Sequence, residues 1–298
     1  MFTLPSPIQK ISHPHLEAHD IHLWIKRDDL IHPEVSGNKW RKLKYNLEEA
    51  AHLGKKEIVT LGGAFSNHIA ATAAACHSLG FVSIGLIRGD ELNEESNPTL
   101  QRAAELGMKL VFTERSRYRK ISQQPETLQE SYPNSFVIPE GGANGLGMKG
   151  VQDIIAEIQI NYQWVITPIG TGTTFQGLLQ ANSYGNTLGI SVLKGINELT
   201  KLRHLATPVP TNGYEINSAF HFGGYAKTTP ELIDFINQMK DEIKIQFDPV
   251  YTGKAFFGVW KMIADGKFDG QTLVFLHTGG LQGIAGFNQK SPQKIYIY

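Results

Sequence analysis

A lysine near the start of the chain is well placed for carbonyl chemistry. Lys39 follows Ser36, Gly37 and Asn38, and either Ser36 or Asn38 would cap a helix that runs to Ala50. A lysine just inside a helix start lies near the positive end of the helix dipole, which lowers its pKa and favours the neutral amine. The alternative is a plain helix cap, with Lys39 as one exposed lysine among several.

A turn in the second half of the chain suits a phosphate group. It follows the apolar run 164–167 and consists of Gly170, Thr171, Gly172, Thr173 and Thr174. Glycines let the backbone approach an anion, and a helix start supplies unpaired amides. The turn lacks the lysine of a P-loop, and Phe175 stands where a dinucleotide motif needs glycine. An ordinary strand-to-helix turn would explain the same residues.

Three further segments place polar side chains at the ends of predicted elements. Ser66 and Asn67 lie at a strand-to-helix junction, where helix capping would explain both. Tyr251 and Thr252 precede one glycine, and Thr278 precedes two. Taken alone, the segments around Tyr251 and Thr278 indicate only loops that line a ligand-binding cleft.

Histidines and the single cysteine suggest no further chemistry. The histidine-rich stretch lacks the helical spacing and the glutamate of zinc enzymes, and Pro14 interrupts it, so we expect no metal. Its members are His13, His15, His19 and His22. Cys76 lies in an alanine-rich run and is expected to be a buried apolar thiol. One cysteine allows no intrachain disulfide, so the fold does not depend on an oxidising compartment.

The elements that would position these residues alternate between strands and helices. Strands are predicted at residues 57–61, 82–87, 109–112, 135–138, 164–167, 189–193 and 272–276. Helices are predicted at residues 66–79, 98–106, 174–180, 231–243 and 253–264, with residues 115–133 mobile or helical and 141–147 a loop. Apolar strands separated by helices are typical of a parallel sheet covered on both faces.

Strands alternate with helices once in the N-terminal half of the chain and again in the C-terminal half. These two series predict an α/β fold of two domains. Each would hold a mostly parallel sheet flanked by helices, with the ligand in the cleft between the domains. The larger domain would comprise residues 1–42 and 145–298, the smaller residues 43–144. A chain of 298 residues, 41% hydrophobic, can bury cores of that size.

Charge and hydropathy exclude other classes of protein. Lys+Arg and Asp+Glu both number 28, so there is no basic field for nonspecific nucleic-acid binding. We expect no signal peptide, and no apolar run is long enough to span a membrane. We therefore expect a cytoplasmic protein that acts on a small molecule.

Together, the motifs resemble the D-cysteine desulfhydrase and 1-aminocyclopropane-1-carboxylate deaminase family, which belongs to the tryptophan-synthase-β-like, fold type II pyridoxal-phosphate enzymes. The resemblance spans almost the whole chain. Each motif is weak alone, but their joint order is specific. They occupy residues 25–30, 36–39, 66–68, 139–142, 170–174, 248–251 and 277–280.

The resemblance implies pyridoxal 5′-phosphate as the cofactor. Lys39 would form an imine with it and later move protons, and the loop of residues 170–174 would hold its phosphate. Asn67 would hydrogen-bond the 3′-oxygen of the ring. Ser66 would lie by the substrate carboxylate or act on it chemically.

Two tyrosines and two threonines complete the implied site. Tyr251 would stack on or near the pyridine ring and serve as base or nucleophile, and Tyr225 would line the pocket. The deaminase branch is implied to carry glutamate and leucine where this chain has Thr252 and Thr278. Both threonines resemble the desulfhydrase branch, which implies β-elimination from D-cysteine to pyruvate, ammonia and sulfide. We expect a homodimer, the commonest symmetric oligomer.

Departures from the family pattern leave two alternatives open. Phe65 replaces the usual glutamine, and residues 69–72 lack the arginine that usually follows His68. The chain is also short around residues 185–217. One alternative is 1-aminocyclopropane-1-carboxylate deaminase. The other, of a different class, is a catalytically silent protein that keeps the fold and the cofactor.

Overall fold

The structure is a computed structural model that describes residues 2–35, 37–194 and 212–297. Its strands are β1 (Ile8–Ile11), β2 (His22–Lys26), β3 (Glu57–Gly62), β4 (Val82–Arg88), β5 (Lys109–Thr113), β6 (Ser135–Ile138), β7 (Trp164–Ile169), β8 (Asn186–Ser191), β9 (Tyr214–Asn217) and β10 (Thr272–Leu276). Its helices are α1 (Pro14–Glu17), α2 (Asn38–His52), α3 (Asn67–Leu79), α4 (Pro98–Glu105), α5 (Arg115–Gln123), α6 (Leu128–Ser131), α7 (Gly145–Glu157), α8 (Thr173–Ala181), α9 (Pro230–Ile243), α10 (Thr252–Ala264) and α11 (Gly283–Lys290). Ser36, a predicted cap, lies outside the described residues, as does part of the segment 185–217.

The chain folds into two compact units, each of α/β type. The first unit contains Met1–His32 and Val151–Tyr298, and the second contains Pro33–Gly150. The predicted division assigned residues 33–42 and 145–150 to the larger domain, whereas the structure groups them with the smaller one. The reason is that these residues begin α2 and α7, which pack on each other within the second unit.

The first unit is built on a six-stranded sheet in the order β1-β2-β10-β7-β8-β9. Among the described strands of this sheet, only β1 is antiparallel to its neighbour. One apolar core packs α9, α10 and α11 onto the sheet, and it includes Phe235, Phe256 and Phe275. A separate core joins α7 and α8 to the sheet through Val151, Leu178 and Val274, so helices cover both faces.

The second unit is built on a parallel sheet in the order β5-β4-β3-β6. Ile84 and Leu86 pack with Tyr118 of α5 in one core. Gly85 lies between them in the strand and faces the opposite side, where a Cβ would lie 3.3 Å from the Cδ1 of Ile69 in α3. The prediction of two mostly parallel sheets flanked by helices is confirmed.

Several elements differ from the sequence prediction. β1, β2 and β9 were not predicted, and β8 begins at Asn186 rather than at residue 189. The predicted loop 141–147 was wrong from Gly145 onward, because α7 begins there despite its glycines. The polar segment 115–133 contains α5 and α6. No helix in the described ranges is long and apolar enough to cross a membrane.

The contact between α2 and α7 predicts a sharp difference between two glycines of α7. A Cβ on Gly150 would lie 1.8 Å from the backbone oxygen of Arg41, whereas one on Gly145 would meet nothing within 4 Å. We expect Gly150→Ala to lower the free energy of unfolding by about 1–3 kcal/mol through overpacking. The matched control Gly145→Ala should leave it unchanged or raise it by about 0.4–1 kcal/mol. Urea titrations measure both, and equal effects would contradict this packing.

Candidate functional site

Adjacent strand ends in the second unit bring together several predicted residues. β3 and β6 are parallel neighbours, with Thr60 opposite Ile138, so the segments that follow them leave the same edge of the sheet. β3 leads to Ser66 and Asn67, and β6 leads to the turn Glu140–Gly142.

Ser66 caps α3, as the structural interpretation of its motif predicted. Its Oγ accepts hydrogen bonds from the backbone N–H groups of His68 at 3.2 Å and Ile69 at 3.3 Å. Gly62 makes room for this turn, since a Cβ there would lie 2.7 Å from the Ser66 Oγ. Asn67 is the first residue of the helix and is half-buried.

His68 is a buried, neutral imidazole that links α3 to Thr60 of β3. The Thr60 hydroxyl donates its one proton to the Ile138 carbonyl at 2.8 Å, so His68 must donate its Nε2–H to Thr60, also at 2.8 Å. Its Nδ1 is then left as a buried acceptor with no hydrogen-bond partner among the described residues. Burial and the nearby Lys39 and Lys42 ammonium groups hold the pKa of His68 well below its usual value.

Lys39 is the second residue of α2 and is partly exposed. The N-cap of this helix is Gly37, with φ 68°, so the prediction that Asn38 caps it was wrong. Burial lowers the pKa of Lys39 to about 8, and the charge of Glu140 opposes part of that shift. Around neutral pH a larger fraction of this amine is therefore neutral than in an exposed lysine.

Lys42 and Glu140 were not singled out from the sequence, yet they adjoin Lys39. Lys42 follows Lys39 by three residues, hence on the same face of α2, and is buried. Burial, and then the Lys39 charge, lower the pKa of Lys42 well below its usual value. Burial raises the pKa of Glu140. Gly142 packs against Lys42, and a Cβ on this glycine would lie 2.9 Å from the Lys42 Cβ.

In the first unit, the predicted phosphate turn joins β7 to α8. Gly172 is the N-cap of α8 with φ 93°, a conformation that favours glycine, and it offers no side chain to cap the helix. Thr173 and Thr174 are buried in the first turn. The Thr171 and Thr173 hydroxyl oxygens are 3.4 Å apart. Backbone amides at such a helix start form an anion-binding arrangement.

Tyr251 lies against this turn. A Cβ on Gly170 would lie 2.9 Å from the Cε1 of Tyr251, so only glycine allows the ring this close. Asp248 fixes the backbone here, since its Oδ2 accepts the N–H groups of Val250 at 2.8 Å and Tyr251 at 2.9 Å. The buried Thr252 donates its hydroxyl proton to Asp248 Oδ1 at 2.6 Å, so that proton is not offered to a ligand.

Thr278 follows β10, the neighbour of β7, and so leaves the same edge of the sheet. His277 anchors its backbone: Nε2 donates to the Gln246 carbonyl at 2.7 Å, and Nδ1 accepts the Gly279 N–H at 3.3 Å. The His277 ring also stacks on Phe247 at 5.1 Å. The Thr278 side chain is thereby held in a fixed turn.

Tyr225 lies in the loop between β9 and α9. It is 49% exposed, and its ring centroid is 6.3 Å from that of Tyr251 with an interplanar angle of 65°. The first unit thus brings together Gly170, Tyr251 and Tyr225. No local sequence pattern predicts this pairing, because the two tyrosines are in separate loops.

The histidine-rich stretch and Cys76 are engaged elsewhere. His13 pairs with Glu242 at 3.0 Å and His19 with Asp269 at 2.9 Å. Among the residues the structure describes, no group of three metal-binding side chains occurs. Cys76 is fully buried, as predicted, and burial raises the pKa of its thiol to about 12.

The second unit thus contains a lysine of lowered pKa, and the first contains a helix start with the backbone arrangement that anions favour. The family described as "Pyridoxal-phosphate dependent enzyme" matches residues 2–279, and the chain belongs to it.

Individual relatives agree with this assignment. The chain is 29% identical to a "Putative 1-aminocyclopropane-1-carboxylate deaminase" of Pyrococcus abyssi, covering 91% of this chain and 88% of the relative. It is 30% identical to the mitochondrial "Bifunctional D-cysteine desulfhydrase/1-aminocyclopropane-1-carboxylate deaminase" of Arabidopsis thaliana, covering 94% and 77%. A crystal structure of an "ACC deaminase homologue" superposes with a TM-score of 0.81 at 28% identity, covering 97% and 93%.

The residues present fit pyridoxal phosphate. An aldehyde needs an accessible primary amine that is partly neutral, and Lys39 is partly exposed with a pKa of about 8. A phosphate needs backbone donors without a competing side-chain cap, and Gly172 has no side chain to supply one. Thr173 and Thr174 add buried hydroxyl groups in the same helical turn.

The capping geometry of Ser66 predicts a stability effect that is separate from any role in chemistry. Ser66→Ala should lower the free energy of unfolding by about 1 kcal/mol, because two N–H groups of α3 lose their acceptor. Ser66→Thr, which keeps an acceptor oxygen, is the matched control and should retain most of the stability. Chemical denaturation measures both. An alanine variant as stable as the native protein would contradict the capping role.

Proposed function

We propose that this protein is a pyridoxal-phosphate-dependent lyase that converts D-cysteine, or a related β-substituted D-amino acid, to a keto acid, ammonia and the leaving group. The observation that carries the proposal is Lys39. Its side chain is partly exposed and stands at a helix start, and burial lowers the pKa of its amine to about 8. A permanently charged lysine could not attack the cofactor aldehyde at neutral pH.

The proposal assigns each cofactor contact to particular residues. Lys39 carries the cofactor covalently, and Asn67 donates to its 3′-oxygen. The backbone amides and hydroxyl groups of residues 170–174 bind the phosphate, a role supported by the uncapped helix start. Thr278 offers a neutral hydroxyl to the ring nitrogen.

Bound pyridoxal phosphate supplies an electron sink for charge that develops at the substrate α-carbon. The chain's own groups must remove and return protons there. Lys39 would be the base that removes and returns these protons, since its lowered pKa suits proton transfer at neutral pH. Tyr251, held by Asp248, provides a second proton-transfer group, and Ser66 contacts the substrate carboxylate.

The choice of thiol elimination over cyclopropane ring opening is supported by Thr252 and Thr278. Neither carries a charge that would keep the ring nitrogen protonated. Thr252 donates its hydroxyl proton to Asp248, so we assign the ring-nitrogen contact to Thr278. A direct contact between Thr252 and the cofactor stays a prediction. The names of relatives, which include deaminases, favour 1-aminocyclopropane-1-carboxylate as the second candidate substrate.

We further propose that the protein acts in the cytoplasm as a homodimer. The single cysteine, which is fully buried, is consistent with a reducing compartment. Two-fold dimers are the commonest symmetric oligomers. Light scattering coupled to size-exclusion chromatography measures the mass, and 33.1 kDa would indicate a monomer.

Cofactor attachment should depend on pH in a way set by Lys39. Only the neutral amine reacts, and its pKa is about 8 rather than the usual 10.5. When pyridoxal phosphate is mixed with protein freed of cofactor, the attachment rate should rise about tenfold per pH unit below pH 8 and level off above it. Stopped-flow absorbance measures the rate. A rise that continues to pH 10 would show that the reacting amine is an ordinary lysine.

Turnover should distinguish the candidate functions. We expect pyruvate and sulfide from D-cysteine, and a turnover of 1-aminocyclopropane-1-carboxylate at least about 100-fold slower, equal to a barrier difference of about 2.7 kcal/mol. Lys39→Ala should abolish activity, whereas Lys44→Ala in the same helix should retain it. Faster deamination of the cyclopropane substrate would select the second candidate. Bound cofactor without turnover of any amino acid would select the silent binding protein.

A further inference from the structure

Lys254 is a fully buried lysine of the first unit for which the proposed chemistry has no use. It is the third residue of α10, and its side chain has no solvent exposure. A buried ammonium group is costly unless it is paired or hydrogen-bonded. Asp248 attracts it electrostatically, but that carboxylate already accepts hydrogen bonds from the start of α10.

The partners of Lys254 are backbone carbonyls of the loop at residues 218–229, which we call the Tyr225 loop. Its Nζ donates to the carbonyls of His221 at 2.9 Å and Gly224 at 2.7 Å. The same two oxygens accept the N–H groups of Gly224 and Lys227 and so close two successive turns. One cation therefore fixes both turns, and Tyr225 lies in the second.

The backbone of the Tyr225 loop needs such external support. Phe222 and Ala226 have φ values of 51° and 53°, and Gly223 and Gly224 have φ values of 90° and 117°. Residues other than glycine seldom adopt positive φ unless their surroundings impose it. Phe222 packs on Phe257 at 5.1 Å, which anchors the first part of the loop.

We propose that Lys254 is a positioning residue for Tyr225, because its ammonium group holds the Tyr225 loop so that the tyrosine ring stays beside Tyr251. The inference rests on the proposed function, in which Tyr225 lines the substrate site. Lys254 acts on that site only through the loop backbone.

The charge on Lys254 strengthens this hold near neutral pH. Burial lowers its pKa to about 8, and the charge of Asp248 opposes the shift, so the group is mainly protonated at pH 7. Hydrogen bonds from a charged donor are stronger than neutral ones. Among the described residues, the other titratable groups on the elements around it are His221, Tyr225 and Lys227 on the loop, Tyr251 before α10, and Lys194, whose Cβ lies near Gly224.

Hydrogen–deuterium exchange on the full-length protein loaded with pyridoxal phosphate tests the structural part. Lys254→Met keeps much of the side-chain volume but removes both hydrogen bonds. We expect exchange of peptides covering residues 218–227 to rise by roughly tenfold or more, from loss of local protection. Lys261→Met is the matched control on the same helix, because Lys261 is exposed and pairs with Glu231. Equal exchange in folded Lys254→Met and native protein would overturn the proposal.

Kinetics of a double-mutant cycle test the functional part. Lys254→Met should lower kcat roughly 10- to 100-fold with little change in KM, because Tyr225 is misplaced. In a Tyr225→Phe background the same substitution should lower kcat less than threefold further, since the group it positions is already absent. A full additional loss of kcat in that background would refute action through Tyr225.

A second variant covers the case in which Lys254→Met does not fold. Gly224→Ala strains the loop at φ 117° while leaving α10 intact. It should reproduce the fall in kcat and the raised exchange, and an unchanged kcat would refute the proposal.

The exchange experiment needs no substrate. If the native protein turned over no amino acid, the proposed function would fail, while exchange would still decide whether Lys254 holds the loop.

Discussion

Parallel strands place the loops that follow them at one edge of a sheet, and the candidate residues of each unit depend on this constraint. In the second unit, β3 and β6 are neighbours and lead to Ser66 and Glu140. In the first, β7 and β10 are neighbours and lead to Gly170 and Thr278. Residues that are far apart in the chain become adjacent because strand order places them there.

The second unit brings three basic side chains together where burial disfavours their charged forms. Lys39, Lys42 and His68 share one region, and burial together with mutual repulsion lowers the pKa of Lys42 and His68. Glu140 is the acid that acts on Lys39, and burial raises its own pKa. Keeping an amine available as a neutral nucleophile thus depends on the packing around it. Any change that admits water should return Lys39 toward ordinary lysine behaviour.

Apolar runs were sufficient to predict most of the fold. The runs at 57–61, 135–138 and 272–276 are strands in the structure, because buried parallel strands are continuously apolar. β1 and β2 were missed since they mix charged and apolar residues near the sheet edge. α7 was missed because its glycines suggest a loop, whereas Gly150 is needed for close packing on α2.

The candidate site was predictable only in part. Ser66 was correctly interpreted as a cap. Gly170 was expected to let an anion approach the backbone, and the structure shows it making room for the Tyr251 ring. The contacts of Lys42, Glu140 and Lys254 are tertiary, and short sequence windows carry no signal for them. The hydrogen bonds between Thr60 and both His68 and Ile138 illustrate this, since the last pair is 78 positions apart. Thr252 was predicted to contact the cofactor, yet in the structure its hydroxyl donates to Asp248.

The most direct test of the central claim is borohydride reduction of the protein with bound pyridoxal phosphate, followed by peptide mapping. Reduction converts the covalent link into a stable adduct on the residue that carries it. The account predicts a single adduct, on Lys39. An adduct on Lys42 or Lys44 instead, or none at all, would contradict it.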